Sequence, residues 1–208
     1  MKLQIRSTKT SMLKEGYLIL VIICMSSCFN SYTPTPKQKA YFKVTFPNKE
    51  YINYVSNECP FKFKYPKYAA IEKDTLYFNE RQPNPCWINL KIPEFKATLH
   101  ISYKEIRNAD QIEEFLHDSH DMSWKHTIKA SYIKEDLVEN RLKGVYGRIY
   151  NIGGNAASSY QFYLTDSNSH FLRASLYFEN KPNIDSMGIV VDFVKKDIEY
   201  FIETFEWK

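Results

Sequence analysis

The chain of 208 residues carries 28 basic and 24 acidic side chains, a formal charge of +4, and its length suits one domain with a sizeable core. The excess sits at the N-terminus, where Lys2, Arg6, Lys9 and Lys14 face only Glu15, and residues 28–208 balance at 24 basic against 23 acidic side chains. That balance removes the electrostatic basis for nucleic-acid binding.

The leader runs into an apolar stretch, residues 17–25, roughly half of the ~20 residues that a membrane-spanning helix needs. Ser26-Ser27 then precede Cys28, which is the form of a bacterial lipoprotein signal. Residues 1–27 are therefore expected to be a cleaved signal peptide, with lipid on Cys28. Cys24 is the competing acceptor, although bulky Ile22-Ile23 stand before it where small residues are wanted. The plainer alternative is an ordinary secreted protein cut nearby, with Cys28 left as a thiol. Met12 offers a second start without altering either outcome. Residues 28–39 are polar and carry Pro34 and Pro36, an extended tether that reaches ~30 Å at about 3.1 Å per residue. The remaining residues, 40–208, are expected to form a single globular domain.

Residues 41–47 alternate apolar and polar up to Pro47, and residues 59–66 do so up to Pro66; both are predicted as short strands near a sheet edge. Between Cys59 and Cys86, residues 79–85 form a loop. Once Cys24 leaves and Cys28 is lipidated, Cys59 and Cys86 are the remaining thiols in an oxidising compartment, which predicts a disulfide. A closed loop of this length stabilises by roughly 3–4 kcal/mol in the chain-entropy picture. Metal ligation by the pair is the weaker alternative, since neither has a CxxC partner or a flanking histidine. Residues 86–92 and 97–103 make a plausible hairpin across Pro93-Glu94-Phe95-Lys96.

From Asp110 a helix is predicted, with Ile112, Phe115, Leu116, Ser119, Met122, Ser123 and His126 on one face and Glu113, Glu114, Asp118, Asp121 and Lys125 on the other. Strand signals dominate residues 130–180. Strands at 145–152, 158–165 and 170–178 are separated by Gly153-Gly154-Asn155 and by Asp166-Ser167-Asn168-Ser169, an antiparallel meander. Pro182-Asn183-Ile184-Asp185 opens a last helix with Asp185 as candidate cap, and Met187, Val190, Val191, Val194, Ile198, Phe201 and Phe205 form its apolar stripe. Aromatic residues make up 16% of the chain, and those within strand runs are assigned to core packing ahead of a stacking surface for bases or sugars. The fold class is α+β: an antiparallel sheet with helices packed on it.

Chemistry is thinly represented. His117 and His120 with Asp121 have ligand-like spacing for zinc, but no third ligand is identifiable, and the same residues serve as the solvated border of an amphipathic helix. His126 is assigned to the core, and His100 and His170 stand in strands with no partner that spacing can supply. Residues 153–159 lack the glycine spacing of a phosphate loop, and Ser158 and Ser159 lack a nucleophile-elbow context. No catalytic residue, metal ligand set or cofactor follows. The turn Gly153, Gly154, Asn155 and Ala156, taken as exposed, is a candidate interface where a partner's backbone approaches closely, with Asn155 a candidate for positive φ.

Several stretches together resemble the gliding motility-associated lipoprotein GldD family of Bacteroidota: Ser27-Cys28, Tyr32-Thr33-Pro34, Cys59-Pro60-Phe61, Tyr65-Pro66-Lys67-Tyr68, Pro85-Cys86-Trp87-Ile88-Asn89 and Leu99-His100-Ile101-Ser102-Tyr103. Further along, Lys125-His126-Thr127-Ile128-Lys129-Ala130, Gly154-Asn155-Ala156-Ala157-Ser158-Ser159, Thr165-Asp166-Ser167, His170-Phe171-Leu172-Arg173 and Glu206-Trp207-Lys208 extend the likeness over the mature chain. The leader before Met12 is longer than the family's usual start. The resemblance implies a non-enzymatic, membrane-anchored envelope lipoprotein, periplasm-facing, needed for gliding and tied to the type IX secretion machinery. Its implied partners are the membrane, through the lipid, and other gliding or secretion envelope proteins, with no nucleic acid. The order of elements is also similar to the PsbP/Mog1-like αβα sandwich, which implies a binding module. Two alternatives from other classes are a lipid-anchored periplasmic carrier enclosing a hydrophobic ligand and a metal-dependent hydrolase using His117 and His120.

Overall fold

In Ala97–Glu105 every second side chain, Ala97, Leu99, Ile101 and Tyr103, is buried and those between are more open. Such alternation gives a strand one apolar and one polar face, and here it builds the whole domain. The computed structural model describes residues 43–73, 76–77, 80–81 and 84–208, all within one compact unit, Phe42–Lys208. The signal peptide, Cys24, Cys28 and the tether lie outside the described residues.

In chain order the elements are β1 (Tyr51–Val55), β2 (Phe61–Pro66), β3 (Ala70–Lys73), β4 (Leu76–Tyr77), β5 (Glu80–Arg81), β6 (Ile88–Ile92), β7 (Ala97–Glu105), α1 (Ala109–Trp124), β8 (Ala130–Asn140), β9 (Val145–Gly154), β10 (Ser158–Thr165), β11 (His170–Phe178), α2 (Ile184–Thr204) and β12 (Glu206–Trp207). Seven strands form an antiparallel sheet in the order β3-β6-β7-β11-β10-β9-β8, and β1-β2-β12 form a second, three-stranded sheet. The fold is α+β.

The apolar face of the large sheet presents Leu90, Leu99, Leu176, Ile101, Ala174, Phe162, Leu172 and Leu164, all at most 3% exposed. Opposite it lie α2 and β2. Asn183 starts α2 by accepting from the backbone N–H of Asp185, and Val191, Val194, Ile198, Phe201 and Phe205 descend its buried side. Phe63 of β2 meets Phe201 with ring centroids 4.1 Å apart. Each such side chain contributes about 1.5–3 kcal/mol on burial, so this layer holds the fold together. A carboxylate sits within it: Asp197, 3% exposed, accepts from Tyr51 Oη at 2.7 Å, from Lys49 Nζ at 2.8 Å and from Tyr68 Oη. Three donors offset the desolvation of that charge and fasten β1 and the β2–β3 connection to α2.

Several boundaries differ from expectation. Residues 43–50 are not a strand; Phe46 packs instead against Phe193 and Phe95, at 4.5 and 5.8 Å between centroids, so the alternation serves one anchoring ring rather than a ladder. Residues 79–85 are not wholly loop, because Glu80–Arg81 pairs with Leu76–Tyr77. Helix α1 starts at Ala109, one residue before the expected Asp110, behind an Asn108 cap, and the cap of α2 is Asn183 rather than Asp185. Within α1, Met122 is 42% exposed although placed on the apolar face, and Asp118 is half-buried although placed on the polar one.

Candidate functional site

The second face of the large sheet is polar. Cross-strand register aligns Asn89, His100, Ser175, Gln161 and Tyr150 in one row, and Ser102, Arg173, Tyr163 and Arg148 in the next. Helix α1 covers only part of this face. Its Phe115 packs on Phe171 at 5.4 Å, its Trp124 Nε1 donates to Glu135 Oε1 at 2.9 Å, and its Ser123 Oγ donates to Gln161 Oε1 at 3.3 Å. Ser119 and Ser123, at 2% and 0% exposure, are small enough to let the helix approach β10 closely. β6 and β7 extend beyond the helix, and a groove of about 420 Å³ is left between them.

One wall of the groove comes from Trp87, Asn89, His100, Ser102 and Lys104, the other from Phe115, Asp118, Ser119 and Met122, with Phe171, Arg173, Ser175 and Tyr177 as the floor. Burial pulls Arg173 below the ordinary arginine value, and its Nη2 donates to Gln161 Oε1. Gln161, 1% exposed, also accepts from Ser175 Oγ at 3.4 Å. Burial and the nearby Arg173 charge together lower His126. His100 Nδ1 pairs with Asn89 Oδ1 at 2.7 Å, and Lys104 Nζ stands 4.2 Å from the Phe115 ring centre.

Cys59 and Cys86 form a disulfide, Cα to Cα 5.4 Å, which fixes the start of β6. Trp87 follows at once, donating from Nε1 to the Tyr103 carbonyl at 2.8 Å, so the bridge also positions the lip of the groove. The expected interface turn is built differently. Gly153 and Gly154 belong to β9, Gly153 and Ala156 are buried, and only Asn155 of the four is exposed. The positive φ belongs to Gly154 at 86°, not to Asn155. An exposed four-residue turn is thus replaced by a strand end, because Tyr132 of β8 pairs with Gly153 and its ring occupies the space above it. His117 Nε2 lies 3.4 Å from Asp121 and His120 Nε2 lies 3.8 Å from Glu135. Among the described residues no group of three or more His, Cys, Asp or Glu is placed to hold a metal ion.

Residues 31–207 match the family described as gliding motility lipoprotein GldD. The chain belongs to the GldD family. Comparison with curated proteins finds no match. Among solved structures, the solution structure of cyanobacterial PsbP (CyanoP) from Synechocystis sp. PCC 6803 is similar at a TM-score of 0.44 and 11% identity, covering 80% of this chain and 98% of that one. GldD-family membership carries a role in gliding motility and a membrane-anchored place in the cell envelope. Among the described residues no helix is long and apolar enough to cross a membrane.

The groove was missed in the sequence although its residues lie in stretches that carry the GldD resemblance, those around Trp87, His100 and Arg173. A signal for it existed: polar residues at alternate positions of β6, β7, β10 and β11 mark a sheet face that no apolar layer covers.

Proposed function

We propose that this GldD-family protein is a non-enzymatic assembly component of the gliding motility and type IX secretion machinery, held at the membrane by lipid on Cys28 and docking another envelope protein in the groove beside α1. Residues 1–27 serve as the signal peptide, 28–39 as the tether and 40–208 as a periplasm-facing domain. One observation carries this: the polar face of the sheet bears an open groove floored by Arg173 and Ser175, while the interior behind the apolar face is filled by side chains such as Leu99, Leu164 and Phe201 at zero exposure. A carrier for a hydrophobic ligand would desolvate these polar groups without pairing them, at roughly 1–3 kcal/mol each. A polypeptide brings its own amides and charged groups to satisfy them. The exposed part of the strand end at Asn155 is a lesser contact candidate on the same molecule.

Ser102→Trp tests the reading, because the indole fills the groove and leaves the apolar core untouched. Colony spreading should be lost while membrane fractionation and melting temperature stay as in the parent. Normal spreading by a stably folded Ser102→Trp protein would remove the groove as the docking surface.

A further inference from the structure

The groove floor holds a cation that, among the described residues, no carboxylate contacts directly, the Asp118 charge of α1 acting on it only through space. Arg173 stands in mid-strand, opposite Ser102 of β7 and Tyr163 of β10. Among the described residues its side chain makes one hydrogen bond, to Gln161, and no ion pair. A guanidinium has five N–H donors in a fixed fork and stays protonated even where burial opposes the charge. Gln161 Oε1 already accepts from Ser123 and Ser175 as well, so it answers only part of the fork. In the wall above, the buried hydroxyl of Ser119 has no partner.

The charged groups around Arg173 are unequal in sign. Lys104 adds a second cation on the β7 side, and Asp118 of α1 is the one carboxylate among the groove-lining residues. His100 is paired with Asn89, and burial favours neutral His126. The site therefore asks for an anion with a planar pair of acceptors. Phe115, Met122 and Trp87 supply apolar surface beside it.

We propose that the groove recognises an acidic side chain of the partner polypeptide, its carboxylate on Arg173 and Ser119 and an adjoining apolar residue against Phe115 and Met122. This rests on the docking role proposed above. A side-chain carboxylate fits better than a C-terminal one, because it reaches the floor while its backbone stays at the lip. The space deeper under α1 is closed, with Ser123 Oγ only 3.3 Å from Gln161.

The test uses the full-length lipoprotein in detergent micelles and an end-blocked, dye-labelled peptide Ala-Leu-Glu-Phe-Ala, with fluorescence anisotropy as readout. The Glu peptide should bind about tenfold more tightly than its Gln twin, the scale of one charge-assisted hydrogen-bonded pair. Arg173→Gln should erase that preference at unchanged melting temperature. Ser102→Trp, which keeps the charge and fills the space, should abolish binding of both peptides and covers the case in which Arg173→Gln does not fold. Equal binding of the twins, no binding of the Glu peptide, a preference that survives Arg173→Gln, binding that survives Ser102→Trp, or tighter binding by octanoate or by the Gln peptide with a free C-terminus would each overturn the proposal. If Ser102→Trp stops spreading while the twins bind alike, docking stands and carboxylate recognition falls.

Discussion

Asp197 shows how a single residue converts an apolar helix stripe into a latch. It is nearly sealed from water, yet it gathers donors from Lys49, Tyr51 and Tyr68, all more than a hundred residues away in sequence. Burial, then the bond to Asp197, raise the Tyr51 and Tyr68 hydroxyls well above the ordinary tyrosine value, so both stay protonated and donate. Removing the carboxylate orphans two half-buried hydroxyls and an ammonium that is partly open to solvent. Asp197→Ala should therefore cost about 3 kcal/mol, while Asp197→Asn, which keeps an acceptor, should cost less. Urea denaturation of the three proteins measures this, and coincident midpoints for parent and Asp197→Ala would show that the latch contributes nothing.

At the scale of elements, the end of β9 separates what local sequence encodes from what pairing decides. The Gly153-Gly154 pair marks an interruption, but tyrosine at position 132 turns it into a paired strand end. Ser131 then closes on Gly154, whose missing Cβ would lie 2.6 Å from Ser131 Oγ and whose φ is 86°. Gly154→Ala should accordingly lower stability by about 1–2 kcal/mol, read as a drop in melting temperature, and an unchanged midpoint would place the left-handed demand elsewhere. The same contrast explains which strands were legible. The hairpin of β6 and β7 and the run β9-β10-β11 pair with sequence neighbours and announce themselves by alternation and turns. β12 exists only because the chain leaves α2 beside β2, and β1 depends on β2 together with the Asp197 latch. The helical spacing of apolar residues from Ile112 to Ser123 likewise revealed that α1 packs on the sheet, but not how far β6 and β7 would project past it. The groove is the product of that overhang, which no local pattern contains.

For the whole molecule, the sheet divides labour between its faces, and the proposed anchor precedes the domain in sequence. The apolar face, with α2 and β2, carries the stability; the polar face, partly covered by α1, offers the groove; Cys28 belongs to neither, lying before the compact unit Phe42–Lys208. Address and fold should then be separable by experiment. Cys28→Ser removes the thiol that the proposed lipid would occupy and changes no residue of the compact unit Phe42–Lys208, so the domain should melt as the parent does. The protein should nevertheless leave the membrane fraction, cease to incorporate radiolabelled palmitate and fail to support colony spreading, because a docking surface adrift from the envelope meets its partner only at bulk concentration. Tethering restores that encounter without any new contact, so spreading should return when the Cys28→Ser domain is fused to an unrelated lipoprotein signal. Palmitate that still enters Cys28→Ser would move the lipid to another residue, and spreading that persists with the protein wholly soluble would show that the groove works without an anchor.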